Sequence, residues 1–422
     1  MNGLKVSYLK YPIYGLGTND KYVVTSGGGG GKSYGIEDIL DINTFNEEEK
    51  KLQPIYSTTE QNGVIDCILY NKKYDLWIGS VRNECIIFQI KEDIGVHILL
   101  TFKTDFNSKN ARQIVVKFSS TSNVILTGGE DTIVRLWQLN FTKDKKHVSV
   151  INDLYIDKKN AIELLGSYTG HAKSIKDCDI SYDDQIICTC SSDNSLKIWN
   201  LRSFKILHTE YINDPQKKTE KLNFRCCKFL EKNKTINDFI YPLLATTYAS
   251  RGTSYLIIWD IYYNDKKEIF KFTKKKCMWL HHSPCCNIAI SENEKYIALG
   301  FSTGALKIYN SNFSLLAHYQ KQELPITAMS FIKNDNYLLA TGADYSISCV
   351  HVNTFRFRYM RKIGKSIIIL FILIIISIIL LDFFNVGYDL SMKDLKRPTV
   401  QFKPPKSDVT PKKNEKPRID EL

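Results

Sequence analysis

The stretch SGGGGGKS at residues 26–33 contains the residue types that could hold a phosphate. In such a site, backbone amides of a glycine-rich loop cradle the phosphates, the lysine reaches the terminal ones and the serine binds magnesium. The pattern also needs a glycine five positions before Gly31, and Ser26 stands there. A phosphate loop opens a helix inside a parallel βαβ unit. Here DKYVVTS (20–26) and YGIEDILDIN (34–43) instead sit within an all-β repeat. The remaining readings are a plain flexible β-turn or a loop projecting from a rigid scaffold. In the second, Ser26, Gly27, Gly28, Gly29, Gly30 and Gly31 turn carbonyls and amides toward a partner or a bound cation. Gly35 and Ile36 then stand at the far end beside Glu37 and Asp38, an apolar tip with adjacent acids.

A second candidate is HHSPCC at 281–286. Zinc sites usually draw paired ligands from two separate knuckles, and none of the eleven cysteines forms a CxxC pair. The expectation is a turn beside buried thiols, with no zinc. Many unpaired cysteines, all between Cys67 and Cys349, suit a reducing compartment and place residues 1–349 in the cytosol. The formal charge of +12 permits an anionic partner. Much of the excess lies in KDKK (143–146), KKTEK (217–221), KKKC (274–277) and KPPK (403–406), which read as solvated loops. No compact basic stripe with interleaved aromatics appears, so no nucleic-acid partner is expected.

The elements that position these residues repeat. TGGEDTIVRLWQL (127–139), TCSSDNSLKIWNL (189–201), GFSTGALKIYNS (300–311) and ATGADYSISCVHV (340–352) align. Six residues after Asp131, Asp193, Thr303 or Asp344 comes Trp137, Trp199, Tyr309 or Val350. Alternating runs at 114–119, 175–181, 287–292 and 326–331 precede them. Further units end in YLIIWDI (255–261), run over 65–90 and surround 11–29. Units of this length closing in W-[DN] are the signature of WD-repeat blades, whose sheets stack radially to bury both faces. The sequence therefore predicts an all-β, seven-bladed propeller over 1–355, with LKVSYL (4–9) as the outer strand of the last blade. His171 is predicted to be structural, bonding Asp193 with Trp199 nearby.

A different signal begins later. Ser366–Leu381 is apolar on every side and reaches roughly 24 Å as a helix; its extension defines a transmembrane helix over 366–384. The linker 356–365 carries Arg356, Arg358, Arg361, Lys362 and Lys365, whereas Asp382 and Asp389 follow the span. Positive-inside bias keeps the propeller cytosolic and sends the proline- and lysine-rich tail 385–422 to the lumen. That tail ends in Ile419-Asp420-Glu421-Leu422, similar to a KDEL-type address read by a retrieval receptor. The start, MNGLKVSYLKYPIYGL, lacks an apolar h-region, so no secretory signal is expected.

Two stretches, YPIYGL (11–16) and VVTSGGGGGKSYGIED (23–38), carry a family resemblance. The chain resembles the PREB-like endoplasmic-reticulum membrane exchange factors for Sar-type small GTPases, with their Y-P-x-Y-[GA] opening and GGGG-containing loop ending in G-I-x-[ND]. Glu37 stands where one branch has proline, and Asp38 where an asparagine-like residue is usual. The resemblance extends over the whole length and implies a guanine-nucleotide exchange factor that starts COPII coat assembly and ER-to-Golgi transport. It implies that the loop docks on the GTPase and distorts its nucleotide site, and that potassium can order the loop; the apolar tip residue Ile36 is then the expected wedge. No covalent chemistry is involved, so the protein is not expected to be an enzyme in that sense. The alternative is a membrane-anchored WD-repeat scaffold of the early secretory pathway that does not catalyse exchange.

Overall fold

The computed structural model describes residues 4–19, 21–29, 37–59, 61, 63–93, 95–107, 109–143, 148–151 (backbone only), 154–157, 159–231, 239–352 and 370–377. The chain divides into two units, Met1–Tyr359 and Met360–Leu422. In the first, seven four-stranded antiparallel sheets follow one another as the blades of an all-β propeller. Blades 1 to 6 span 13–58, 65–103, 113–168, 175–210, 223–281 and 285–320, each in simple up-and-down order. Blade 7 takes three strands from 326–351 and its fourth from Leu4–Tyr8, which pairs antiparallel with Ser346–His351 (Leu4 opposite Val350). The expected outer strand is therefore where the alternation of LKVSYL put it.

Burial explains the strand sequences. The second strand of blade 4, Ile186–Ser191 (IICTCS), is buried along its whole length because neighbouring blades cover both faces. The outer strand Ile206–Glu210 (ILHTE) has no fully buried residue and admits histidine, threonine and glutamate. Seven apolar clusters sit between successive blades, including one between blades 7 and 1 that contains Tyr11, Ile13, Leu339 and Ile347. Each blade thus buries both faces on its neighbours, which a single four-stranded sheet cannot do alone.

The aligned segments share a backbone feature. The residue after Asp131, Asp193, Thr303 and Asp344 has positive φ: Thr132 (67°), Asn194 (67°), Gly304 (76°) and Tyr345 (67°). The repeat therefore fixes one left-handed turn per unit, even where threonine or tyrosine must adopt it. The 141–165 insertion contains a small hairpin, Val148–Ile151 with Leu154–Ile156, and leads into the outer strand Ile162–Tyr168 of blade 3.

In the second unit, residues 370–377 form a helix whose apolar side chains from Leu370 to Ile376 are 45–65 % exposed. Among the described residues no helix is long and apolar enough to cross a membrane. The remainder of the expected span 366–384, the linker 356–365 and the tail with Ile419, Asp420, Glu421 and Leu422 lie outside the described residues.

Candidate functional site

The glycine stretch connects the second and third strands of blade 1, Val23–Gly27 and Ile39–Asn46, which pair with Gly27 opposite Ile39. Among the described residues the element that follows the loop is the strand Ile39–Asn46, not the helix whose dipole a phosphate loop uses. Ser26 and Gly27 differ from the expectation: they belong to the strand, and the loop begins at Gly28. The buried Ser26 hydroxyl accepts from the Ile65 amide at 2.9 Å, tying blade 1 to blade 2. Gly27 is required by close approach, since a Cβ there would lie 1.9 Å from the Pro12 carbonyl oxygen. The Gly28 amide donates to that same carbonyl at 3.3 Å. Glycine weakens a strand interior; the close approach of Pro12 and the bond to Ile65 of the next blade account for Gly27 and Ser26 in one.

Pro12 belongs to YPIYGL, so the two stretches behind the resemblance are in contact. Tyr11 is buried and donates to Asp41 Oδ2 at 2.7 Å, with Thr25 Oγ1 2.9 Å away. Burial, then the Asp41 charge, pushes its phenol well above the ordinary range. Tyr14 lines the central channel, and a Cβ on Gly15 would lie 2.0 Å from the Ile65 carbonyl oxygen. The YPIYGL segment is thus the floor on which the loop stands.

The two ends of the loop meet where Gly28, with φ 155°, approaches Asp38: a Cβ on Gly28 would lie 2.6 Å from Asp38 Oδ1. Gln61, 4 % exposed, donates through Nε2 to the Asp38 carbonyl at 2.9 Å. Asp38 Oδ1 and Gln61 Oε1 are buried acceptors with no donor among the described residues. A groove of about 880 Å³ opens beside them, lined by Gly28, Gly29, Asp38, Gly63, Arg82 and Arg112 among others. Glu37 is exposed. Gly30, Gly31, Lys32, Gly35 and Ile36 lie outside the described residues.

The WD-repeat residues form a different kind of site. His171 Nδ1 lies 2.9 Å from Asp193 Oδ2, and Nε2 lies 2.8 Å from Thr189 Oγ1. With Nδ1 donating to the carboxylate, Nε2 accepts from the Thr189 hydroxyl, whose oxygen accepts from Trp199 Nε1 at 2.8 Å. Asp193 also accepts from the Ala172 amide and from the Ser195 amide and hydroxyl. Burial opposes its ionisation, but these bonds outweigh burial and hold the carboxyl below its ordinary 3.8. In blade 3 Trp137 Nε1 donates to Thr127 Oγ1 at 2.8 Å, and Asp131 pairs with Arg135 at 2.7 Å. Asp105 there accepts from the Asp131 amide at 3.0 Å, and Asp131 Oδ2 accepts from the Phe106 amide at 3.1 Å as Asp193 does from Ala172. Sequence reasoning missed Thr127 and Thr189, although each stands ten residues before its tryptophan.

In HHSPCC, His281 ends one strand and Cys285 begins the next; His281 Nδ1 lies 2.8 Å from Ser283 Oγ and Cys285 is buried. Among the described residues no group of three or more His, Cys, Asp and Glu side chains could hold a metal.

Comparison with known proteins agrees with this architecture. The family described as "WD domain, G-beta repeat" matches residues 107–138 and 162–200. The chain is 26% identical over 178 residues to SEC12-like protein 1 of Arabidopsis thaliana, covering 41% of this chain and 39% of that one. It is 22% identical over 245 residues to a component of eukaryotic translation initiation factor 3 from Eremothecium gossypii (57% and 61%). It is also 22% identical over 151 residues to a component of mouse chromatin assembly factor 1 (35% and 25%). The chain spans between a quarter and about three fifths of these relatives' lengths.

Proposed function

We propose that this WD-repeat propeller is a guanine-nucleotide exchange factor for a Sar-type small GTPase, anchored in the endoplasmic-reticulum membrane by 366–384 and acting at the start of COPII coat assembly. The observation that carries the reading is the joint construction of the YPIYGL floor and the glycine loop. Both ends of the loop are fixed by sheet pairing and by Pro12, so a partner meets a rigid stem. The match to a SEC12-like protein supports the secretory-pathway part of the reading. Gly35 and Ile36, with Glu37 and Asp38, form the GTPase contact, and Ile36 is the wedge. Exchange requires only that the protein bind the nucleotide-free GTPase more tightly than the loaded form. The tail tetrapeptide 419–422 serves as the retrieval address.

Potassium fits the loop base. Asp38 Oδ1, beside the backbone of Gly28 and Gly29, and Oε1 of its neighbour Gln61 are acceptors that lack donors among the described residues. A cation held there would satisfy two buried oxygens and stiffen the stem.

A second reading has its own support: two relatives are named as components of a translation factor and of a chromatin assembly factor, which favours a non-catalytic scaffold. Affinity of the purified full chain for the GTPase, with and without GDP, separates the two. An exchange factor loses affinity when saturating GDP is added; a scaffold that binds both states equally contradicts the proposal.

A further inference from the structure

All seven innermost strands carry the same irregularity. Each has a register shift at its start, and the residues skipped are Tyr14, Asp66, Ile114, Lys176, Arg225, Cys286 and Thr327. A bulge re-aims the extra residue and twists the strand, and all seven of these side chains line the central channel, a cavity of about 420 Å³. The ring they make is strongly asymmetric. Blades 4 and 5 contribute neighbouring cations, Lys176 and Arg225; further along the inner strands Lys117 and Lys228 add two more, and Arg112 stands at the mouth.

Five cationic side chains thus face two carboxylates, Asp66 and Asp177, in one cavity. Asp66 is engaged by Arg112 at 2.6 Å, and Asp177 by Lys228 at 3.3 Å as well as by the Cys227 and Cys178 amides. Asp179, next along the blade 4 strand, accepts from the Phe229 amide and adds its charge near Lys228. Among the described residues no carboxylate lies within ion-pair distance of Lys117, Lys176 or Arg225. Burial, opposed by Glu130 and reinforced by Arg225 and Arg112, holds the Lys176 ammonium below its ordinary range. Like charges gathered in a partly desolvated cavity repel unless an anion joins them.

We infer that the central channel binds a compact anion carrying several phosphates, held by Lys176 and Arg225 on the bulge ring and by Lys117 and Lys228 further along the inner strands. Clustered phosphates match this arrangement because each offers several acceptor oxygens to guanidinium and ammonium donors. The chemistry is shared by soluble polyphosphates and by the headgroups of phosphoinositide lipids. The inference is independent of the exchange reading and uses none of the glycine-loop residues.

Calorimetric titration of the purified full chain with tripolyphosphate, inositol 1,4,5-trisphosphate and dihexanoyl phosphatidylinositol 4,5-bisphosphate tests it. Saturable binding that weakens as salt rises is expected, with a rise in the thermal midpoint of the bound protein. Lys176→Gln and Arg225→Gln should each weaken binding about tenfold or more. Their ligand-free midpoints should be unchanged or higher, because each removes a repelled charge, which separates lost binding from lost fold. Lys275→Gln, an equal charge change on an exposed side chain paired with Asp260, should have no effect. Equal affinity for the two inositol ligands assigns the site to a soluble anion; tighter binding of the acylated one assigns it to a lipid headgroup. The inference falls if none of the three binds below millimolar concentration, or if Lys275→Gln weakens binding as much as the channel variants.

Discussion

The turn of blade 4 and the loop of blade 1 occupy comparable positions between strands, yet they are opposites in polar satisfaction. Around Asp193 every described donor and acceptor has a partner: His171, Ala172 and Ser195 bond the carboxylate, and Thr189 links the imidazole to Trp199. Around Asp38 two buried oxygens have no donor among the described residues, the backbone passes through a glycine that no side chain could replace without contact, and a groove lies open alongside. A closed network commits its polar groups to holding the fold. An incomplete one leaves them for something that arrives later.

The sharpest way to break this contrast is to damage each side in turn. Trp199 is 1 % exposed, packs with Tyr168 and the blade 3 core, and anchors the network. Trp199→Ala should cost about 3–5 kcal/mol of stability, read as a lowered denaturation midpoint. Ile36→Ala should do the reverse, leaving the midpoint in place while the exchange rate drops about thirty- to a thousandfold, the equivalent of about 2–4 kcal/mol at a contact hot spot. Lys32→Ala is the control that a phosphate-loop reading would expect to be fatal; here it should change exchange little, and the protein itself should bind no nucleotide.

How far these features are legible depends on whether they are local. The blades can be read because strand alternation and the six-residue step from Asp193 to Trp199 lie within one short segment, and the same step recurs from Asp131 to Trp137. The start of the loop cannot, because what makes Ser26 and Gly27 strand residues is remote in sequence: the Ile65 amide and the Pro12 carbonyl. The channel cations are hidden for the same reason. Lys176 and Arg225 look like ordinary surface charges until the bulges of two separate blades turn them into one cavity. These cations are separate from the lysine-rich segments at 143–146, 217–221, 274–277 and 403–406, and among the described residues none of those segments lines the channel.

A smaller effect sharpens the satisfied side. The Asp193 carboxyl is held below its ordinary 3.8 in the folded state, so its stabilisation is complete above that value and is lost as pH falls through the lower folded value. Asp193→Asn should cost about 1–3 kcal/mol near neutrality and should flatten the decline of stability below about pH 4. A wild-type and variant that lose stability in parallel on acidification would remove Asp193 from the network's account.

On the unsatisfied side the smallest change in stability is expected. Asp38→Asn should alter stability by no more than about 0.5 kcal/mol, since Oδ1 has no donor among the described residues to lose. Its effect should appear instead in cation dependence: exchange by the wild type should be faster in potassium than in tetramethylammonium, and the variant should not distinguish the two.

The most direct test of the exchange reading is the rate of GDP release from a purified Sar-type GTPase, followed by fluorescent nucleotide with and without the full chain. The account predicts release that accelerates with the concentration of the chain and falls to the unstimulated rate with Ile36→Ala. A GTPase that binds the chain yet releases GDP at its intrinsic rate would contradict it.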